Sequence, residues 1–150
     1  MEIPEENFLD ACLFFNCNTF SRQLVKLAEN EFKDLNLSPA HATVLLLVFD
    51  TPGITPKALS DHLQLNPSTI TRFIDALVKK DFVEKHSRGK SISIHPSPEG
   101  LATRGRVAQA YKNLVFKYSE ILGRDVAAML SVDMRAANEK VKKAMLQDAQ

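Results

Sequence analysis

The chain has 150 residues and a formal net charge of +1, and 45% of its residues are hydrophobic. This length suits one domain with a sizeable core, so we expect a single domain over residues 1–150. The near-neutral charge excludes a globally basic protein, and the longest uninterrupted apolar run, Val44 to Phe49, is far too short to span a membrane.

The N-terminal segment begins Met1-Glu2-Ile3-Pro4 and lacks the basic start of a secretory signal peptide. We therefore expect a cytoplasmic protein without membrane contact. Residues 8–17 follow as part of a helix that is apolar on more than one face, and Val44 to Phe49 indicate a later helix that is buried on all sides.

Two helix-start signals stand eleven residues apart in the middle of the chain. Thr55 and Asn66 are capping residues, and each precedes a proline at the first helical position. The first of these two helices can run only from about Pro56 to Leu63 before the chain turns. This spacing predicts a helix-turn-helix. An ordinary αα-hairpin is the alternative.

The second of these helices has two unlike faces. Apolar residues at i, i+3, i+4, i+7 and i+8 predict its buried side, namely Ile70, Phe73, Ile74, Leu77 and Val78. Small hydroxyls and one arginine lie on the other side, where they can press against the floor of a DNA major groove. The predicted DNA-binding residues of this helix are Ser68, Thr69, Thr71 and Arg72.

A β-hairpin follows, with runs at residues 82–86 and 91–95 and a turn at 87–90 that contains Gly89. Arg88 and Lys90 at its tip can reach DNA phosphates or a minor groove, although an ordinary solvated turn is the alternative. Residues 57–95 hold seven Lys and Arg against four acidic residues, a charge of +3, whereas the remainder carries −2. This local basic surface favours a nucleic-acid reader.

The C-terminal third predicts two long helices. Ser97 caps the first, Gly123 ends or kinks it, and Asp125 and Ser131 are both candidate caps for the second. Apolar residues form one seam on each helix: Val107, Tyr111, Leu114, Tyr118 and Ile121, then Leu130, Met134, Ala137, Val141 and Ala144. Homodimerisation through both termini would cover them. A monomeric bundle is the alternative.

In order and spacing, these elements resemble the MarR family of bacterial winged-helix transcription regulators. The resemblance covers nearly the whole chain and rests on five motifs, at residues 37–42, 54–63, 66–72, 82–85 and 97–100. It implies a mainly α fold with a small β-hairpin wing. The winged helix-turn-helix would span residues 54–95, flanked by long dimerisation helices at 5–35 and 98–148.

The resemblance also implies a function: a sequence-specific transcription regulator that acts as a homodimer on a pseudo-palindromic operator in double-stranded DNA. A small apolar or phenolic effector would bind between the dimerisation helices and the reader. The residues expected near it are Phe14, Phe15, Phe20, Val44 and Tyr111.

Two alternatives remain open on this scaffold. The first is a redox-switched regulator through Cys12 or Cys17, because peroxide-sensing members of the family carry a reactive cysteine in the first helix. Five residues apart in one helix, the two thiols point about 140° apart and cannot bridge. The second is a winged-helix protein-interaction module without DNA binding, which would need neither Arg72 nor Arg88.

Catalytic and metal-binding patterns are not evident. The sequence has no Gly-rich phosphate loop, nucleophile elbow or His-Glu-x-x-His pair, so we expect neither an enzyme nor a cofactor. His41 sits where zinc-sensing members of the family place one ligand, but residues 100–122 contain no histidine to complete a site. His62 is expected to be packed, and His86 and His95 to lie on the wing or the surface.

Overall fold

A computed structural model describes residues 7–149 of the chain. Its elements are α1 (Leu13–Phe32), α2 (Pro39–Asp50), α3 (Pro56–Leu63), α4 (Pro67–Lys79), β1 (Val83–Arg88), β2 (Ser91–Pro96), α5 (Pro98–Leu122) and α6 (Arg124–Asp148). Short 3-10 helices precede and follow α1. The predicted mainly α fold with a β-hairpin is confirmed. Residues 5 and 6 of the predicted 5–35 region lie outside the described residues.

The chain divides into two compact units, residues 1–112 and 113–150. The boundary falls within α5. The first unit contains the hydrophobic core around α2, which is buried on several sides as its apolar run predicts. The core side chains that are fully inaccessible include Phe32, Val44, Leu45, Val48, Leu59, Ile70, Leu77, Ile94 and Val107.

Capping side chains fix where α2 and α3 begin. The Ser38 hydroxyl accepts a hydrogen bond from the His41 backbone N–H at 3.2 Å, and the Thr55 hydroxyl accepts one from the Ala58 N–H at 3.1 Å. Asn66 occupies the same position before α4, but its side chain makes no capping hydrogen bond. The expectation for that side chain was wrong, although the helix begins at Pro67 as predicted.

The turn between α3 and α4 depends on Gln64. Its backbone lies in the left-handed region, with φ of 53°, where glycine is the usual residue. Its backbone N–H donates to the Ser60 carbonyl, and its side-chain Nε2 donates to the Asp61 carbonyl at 2.6 Å. These bonds end α3 at Leu63, so the predicted bounds of this helix are confirmed.

The wing is an antiparallel pair whose register joins Val83 to Pro96 and Arg88 to Ser91. Only residues 89 and 90 remain in the turn, which is tighter than the predicted turn at 87–90. Gly89 has φ of +62°, as the first residue of a tight two-residue hairpin turn requires. Arg88 therefore ends a strand instead of lying in the loop. Ile54 forms a single bridge to Ile94 on the other side of β2.

A compact corner joins α4, the wing and α5. The Ser97 hydroxyl donates to the Asp81 carbonyl at 2.5 Å and accepts from the Gly100 N–H at 2.9 Å, so it caps α5 as predicted. A Cβ atom on Gly100 would lie 2.0 Å from the Phe82 carbonyl oxygen. Gly100 is thus required by close backbone approach and not by its own dihedral angles.

In the second unit, Gly123 separates α5 from α6. It has φ of +87° and is the N-cap of α6, so neither Asp125 nor Ser131 takes that position. Much of the predicted apolar seam is exposed in the single chain: Ile121 is 69% exposed and Val141 is 58% exposed. Among the described residues of α6, only Ala127 is buried.

Candidate nucleic-acid interface

The recognition helix α4 is amphipathic, with an apolar face in the core and a polar face in solvent. Ile70, Ile74 and Leu77 are buried and Phe73 is half-buried, as predicted. Val78 is 39% exposed, so its predicted burial was wrong. It lies at the end of α4, next to Lys79 and Lys80, where the helix leaves the core.

The polar face of α4 carries the four predicted DNA-binding residues of this helix. Ser68, Thr71 and Arg72 are exposed and Thr69 is half-buried. The Thr71 hydroxyl donates back to the Pro67 carbonyl at 3.0 Å, and Arg72 Nη2 donates to the Thr69 hydroxyl at 3.5 Å. Within the described residues, the Arg72 guanidinium has no carboxylate partner. It can therefore bind a base edge or a phosphate without first breaking an ion pair.

Side chains from other elements hold α4 in place, and these were not foreseen from the sequence. Asp75 on α4 forms an ion pair with Lys85 on β1. The His41 ring on α2 packs edge-to-face on Phe73, with centroids 5.0 Å apart. Burial, with a smaller contribution from the positive charge of Lys80, lowers the pKa of His41. The lowered pKa favours the neutral form of this imidazole.

The wing has one apolar and one polar face. Val83 and Ile94 are buried on the first face, where Lys85 also lies. Alternate residues form the other face, and the register sets them opposite one another in three pairs: Glu84 with His95, His86 with Ser93, and Arg88 with Ser91. We call these six residues the polar wing face. This face could have been found from the sequence, because Glu84, His86 and Arg88 are spaced two residues apart along β1.

The two histidines of the polar wing face stack on each other. Their ring centroids are 4.3 Å apart and the planes differ by 22°. His86 Nε2 lies 3.2 Å from a Glu84 carboxylate oxygen, and His95 Nε2 lies 3.1 Å from the Ser93 hydroxyl. The pair is therefore held from both sides, one ring by each strand.

A cavity of about 550 Å³ lies along the wing. Its lining residues are Thr55, His86, Ser87, Arg88, Ser91, Ile92, Ser93 and His95. The predicted wing contact Arg88 is thus a cavity residue. The other one, Lys90, is exposed at the turn and does not line it.

The five predicted effector residues differ widely in exposure. Phe14 is 79% exposed and Phe15 is 37% exposed, both at the start of α1. Phe20 is half-buried, whereas Val44 is completely buried in α2. Val44 can contact an effector only if the side chains around it move.

The fifth of these residues, Tyr111 on α5, is anchored by two neighbours. Its hydroxyl hydrogen-bonds to the Thr43 hydroxyl, and its ring packs edge-to-face on Phe32 with centroids 4.9 Å apart. Burial raises the pKa of Tyr111, and the hydrogen bond to Thr43 offsets part of that rise. The phenol therefore stays protonated and can donate or accept a hydrogen bond.

The N-terminal segment differs from the single helix expected there. Residues Phe8–Ala11 form a 3-10 helix, and Cys12 lies between it and α1 with extended backbone dihedrals. The expectation that both cysteines lie in one helix was wrong, because only Cys17 is within α1. Both thiols are free and half-buried.

The remaining histidine gives a further correction. His62 is exposed on α3, so its predicted packing was wrong. Across residues 7–149 there is no group of three His, Cys, Asp or Glu side chains placed to hold a metal ion. None of the helices in that range combines the length and apolar character needed to cross a membrane.

Comparison with known proteins shows which proteins this chain resembles. Residues 37–88, from the start of α2 to the end of β1, match the model of the MarR family. Over these residues the chain resembles the MarR family. It is 27% identical over 110 residues to the HTH-type transcriptional regulator SarZ of Staphylococcus aureus, covering 70% of this chain and 73% of SarZ.

Several solved structures share the fold of this chain. A mutant MarR from E. coli complexed with operator DNA is 20% identical, with a TM-score of 0.78 over 89% of this chain and 99% of that chain. CouR from Rhodococcus jostii RHA1, bound to p-coumaroyl-CoA, is 16% identical, with a TM-score of 0.76 over 88% of this chain and 95% of that one. The chain thus resembles the MarR family in sequence over residues 37–88 and shares its fold with these structures.

Proposed function

We propose that the chain is a homodimer that binds a pseudo-palindromic operator through α4 and the wing. The observation that carries this proposal is the polar face of α4. Its small hydroxyl side chains allow close approach to a groove, and Arg72 is accessible there without a competing carboxylate. Two such helices, one from each protomer, would enter successive major grooves about 10 bp apart.

The exposed apolar residues support the homodimer. The N-terminal segment and the two long C-terminal helices expose large side chains that monomeric proteins rarely leave in contiguous patches. They include Phe8, Leu9, Leu13 and Phe14 near the start and Phe116, Ile121, Met129, Val132, Val141, Met145 and Leu146 near the end. We propose that residues 5–35 and 98–148 form the dimerisation region, with a two-fold interface.

We also propose that a small apolar or phenolic ligand modulates DNA binding. CouR carries such a group in p-coumaroyl-CoA, and in this chain Tyr111 offers a protonated phenol beside Phe32. A ligand that prefers one spacing of the two recognition helices would shift the dimer between DNA-binding and non-binding states.

The test separates base reading from backbone binding. The DNA upstream of the protein's own gene and a scrambled duplex are titrated at several salt concentrations. Arg72→Ala should cost roughly 1–3 kcal/mol on the operator and relax preference at one base pair per half-site. Arg88→Ala should weaken binding to both duplexes, and the salt slope should fall by about 0.9 for each phosphate that the variant no longer neutralises.

The control is Arg22→Ala, which removes an exposed positive charge from α1 and should leave both affinities unchanged. If neither Arg72→Ala nor Arg88→Ala alters DNA affinity, the protein-interaction module becomes the better hypothesis. A reversible loss of affinity after diamide treatment, absent in Cys12→Ser or Cys17→Ser, would favour the redox-switched alternative instead.

A further inference from the structure

The wing cavity has the chemistry of an anion site. A guanidinium, two imidazoles and several hydroxyls line it, whereas no carboxylate does. The nearest carboxylate along β1 belongs to Glu84, and it contacts the His86 ring at Nε2. Within residues 7–149, the Arg88 guanidinium has no ion-pair partner of its own. A lining that holds an unpaired guanidinium and no carboxylate favours an anionic ligand.

The lining also contains side chains that can donate hydrogen bonds, namely the Arg88 guanidinium and the hydroxyls of Ser91 and Ser93. Ser93 and Glu84 each hold one ring nitrogen of the histidine pair, so the rings have defined orientations. Within the described residues, the Nδ1 atom of neither ring has a hydrogen-bond partner. Arginine, imidazole and serine are the side chains that donate to phosphoryl oxygens, and arginine does so in a bidentate manner.

We propose that the wing cavity binds a phosphate group through Arg88, His86, His95 and the hydroxyls of Ser91 and Ser93. The phosphate can belong to the backbone of bound DNA or to a small phosphorylated compound, since both present the same oxygens. If the ligand is a DNA phosphate, the inference rests on the proposed function. If the ligand is a small phosphorylated compound, the inference is independent of DNA binding.

The contact between α4 and the apolar face of the wing indicates that this site is separate from α4. Lys85 on that face is paired with Asp75 of α4, so α4 contacts the wing from that side. The polar wing face points the other way, because strand residues alternate between faces. A phosphate bound there would therefore add to the DNA interactions of α4 without competing for them.

The experiment follows the imidazole signals of the whole protein by NMR. The chain has four histidines, so each can be assigned by a single substitution to glutamine. Sodium phosphate is titrated at constant pH, and sodium chloride of equal ionic strength is titrated in parallel. His86 and His95 should shift together and saturate with phosphate alone, whereas His62 on α3 should not move.

Variants of the exposed lining test which groups bind. Arg88→Ala and Ser93→Ala should weaken phosphate binding, the first by about tenfold or more because it removes a charged donor. Lys57→Ala is the control, since it removes an exposed positive charge of α3 that does not line the cavity. Equal shifts with chloride and phosphate, or equal losses in Lys57→Ala and Arg88→Ala, would show general screening and overturn the proposal.

A second titration with an operator duplex identifies the source of the phosphate. If the duplex shifts His86 and His95 and phosphate competes with it, the ligand is a DNA phosphate. If phosphate saturates the site and bound duplex leaves both signals unchanged, the ligand is a small phosphorylated compound. If no duplex binds, the proposed function fails, and the inorganic phosphate titration still decides whether the cavity is an anion site.

Discussion

The core around α2 and the C-terminal arm, residues 113–149, use their apolar residues in opposite ways. In α2, five residues are buried within the chain, at positions 42, 44, 45, 48 and 49. In α6, one described residue is buried, and Met129, Val132 and Val141 are each more than half exposed. The first region satisfies its hydrophobic residues alone, whereas the second needs another surface. Disturbing each region should therefore give different kinds of defect.

The largest effect is expected at the corner between the wing and α5. Gly100→Ala places a methyl group 2.0 Å from a backbone oxygen of residue 82, which is too close for any real contact. Because backbone must move, the substitution should destabilise the fold by about 3 kcal/mol or more. Urea unfolding followed by circular dichroism measures this loss.

Gly105→Ala is the matched control in the same helix. A Cβ atom there would meet no atom within 4 Å. Removing a glycine from a helix interior should stabilise the protein by about 0.5–1 kcal/mol. If both substitutions changed stability by the same amount, the close approach at Gly100 would not be what fixes this corner.

The next effect concerns the C-terminal arm. Val141→Lys puts a charge on a side chain that is 58% exposed in the single chain. If this side chain is buried in a dimer, desolvating the charge should raise the dissociation constant of the dimer at least tenfold, about 1.4 kcal/mol. Light scattering would then give a mass closer to the 16.8 kDa of one chain.

Gln147→Lys adds the same charge to another exposed position of α6, about 120° around the helix from Val141, so it controls for charge alone. An unchanged dimer in Val141→Lys would contradict the proposed interface. A monomeric wild-type protein at micromolar concentration would contradict the dimer itself.

The ends of the helices could be predicted from the sequence only in part. The bounds of α3 followed from Thr55 and Pro56, because capping and proline geometry act locally. The left-handed conformation of Gln64 could not be predicted, since glutamine has no preference for it. The break at Cys12 was missed for a related reason: an apolar run carries no signal that it changes from a 3-10 helix to α1.

The candidate site was predictable only in part. The exposure of Ser68, Thr71 and Arg72 follows from helical periodicity, so it was accessible from the sequence. The polar wing face required the register of β1 with β2, because His86 and His95 come together across strands. The burial of Val44 was also accessible from the sequence, because the apolar run at residues 44–49 predicts a helix that is buried on all sides.

The smallest expected effect is a change in how the stability of the protein depends on pH, and it concerns Tyr111 in the first compact unit. Burial raises the pKa of Tyr111 above its ordinary value, with the bond to Thr43 acting in the other direction. The folded state therefore holds the phenolic proton more tightly than the unfolded state does. Its contribution to stability is complete below about pH 10, the pKa of an unfolded tyrosine, and is lost as the pH rises through the higher folded value.

Tyr111→Phe removes the titrating group, so stability should decline less steeply between roughly pH 9 and pH 11 than in the wild type. It also removes the hydrogen bond to Thr43, which lowers stability by about 1 kcal/mol at neutral pH. Urea midpoints measured across this range separate the two effects, because only the first depends on pH.

Tyr118→Phe removes the other tyrosine of the chain and should keep the wild-type decline. If Tyr118→Phe flattened the curve instead, the buried phenol would not be the source, and the anchoring of Tyr111 between Phe32 and Thr43 would need another explanation.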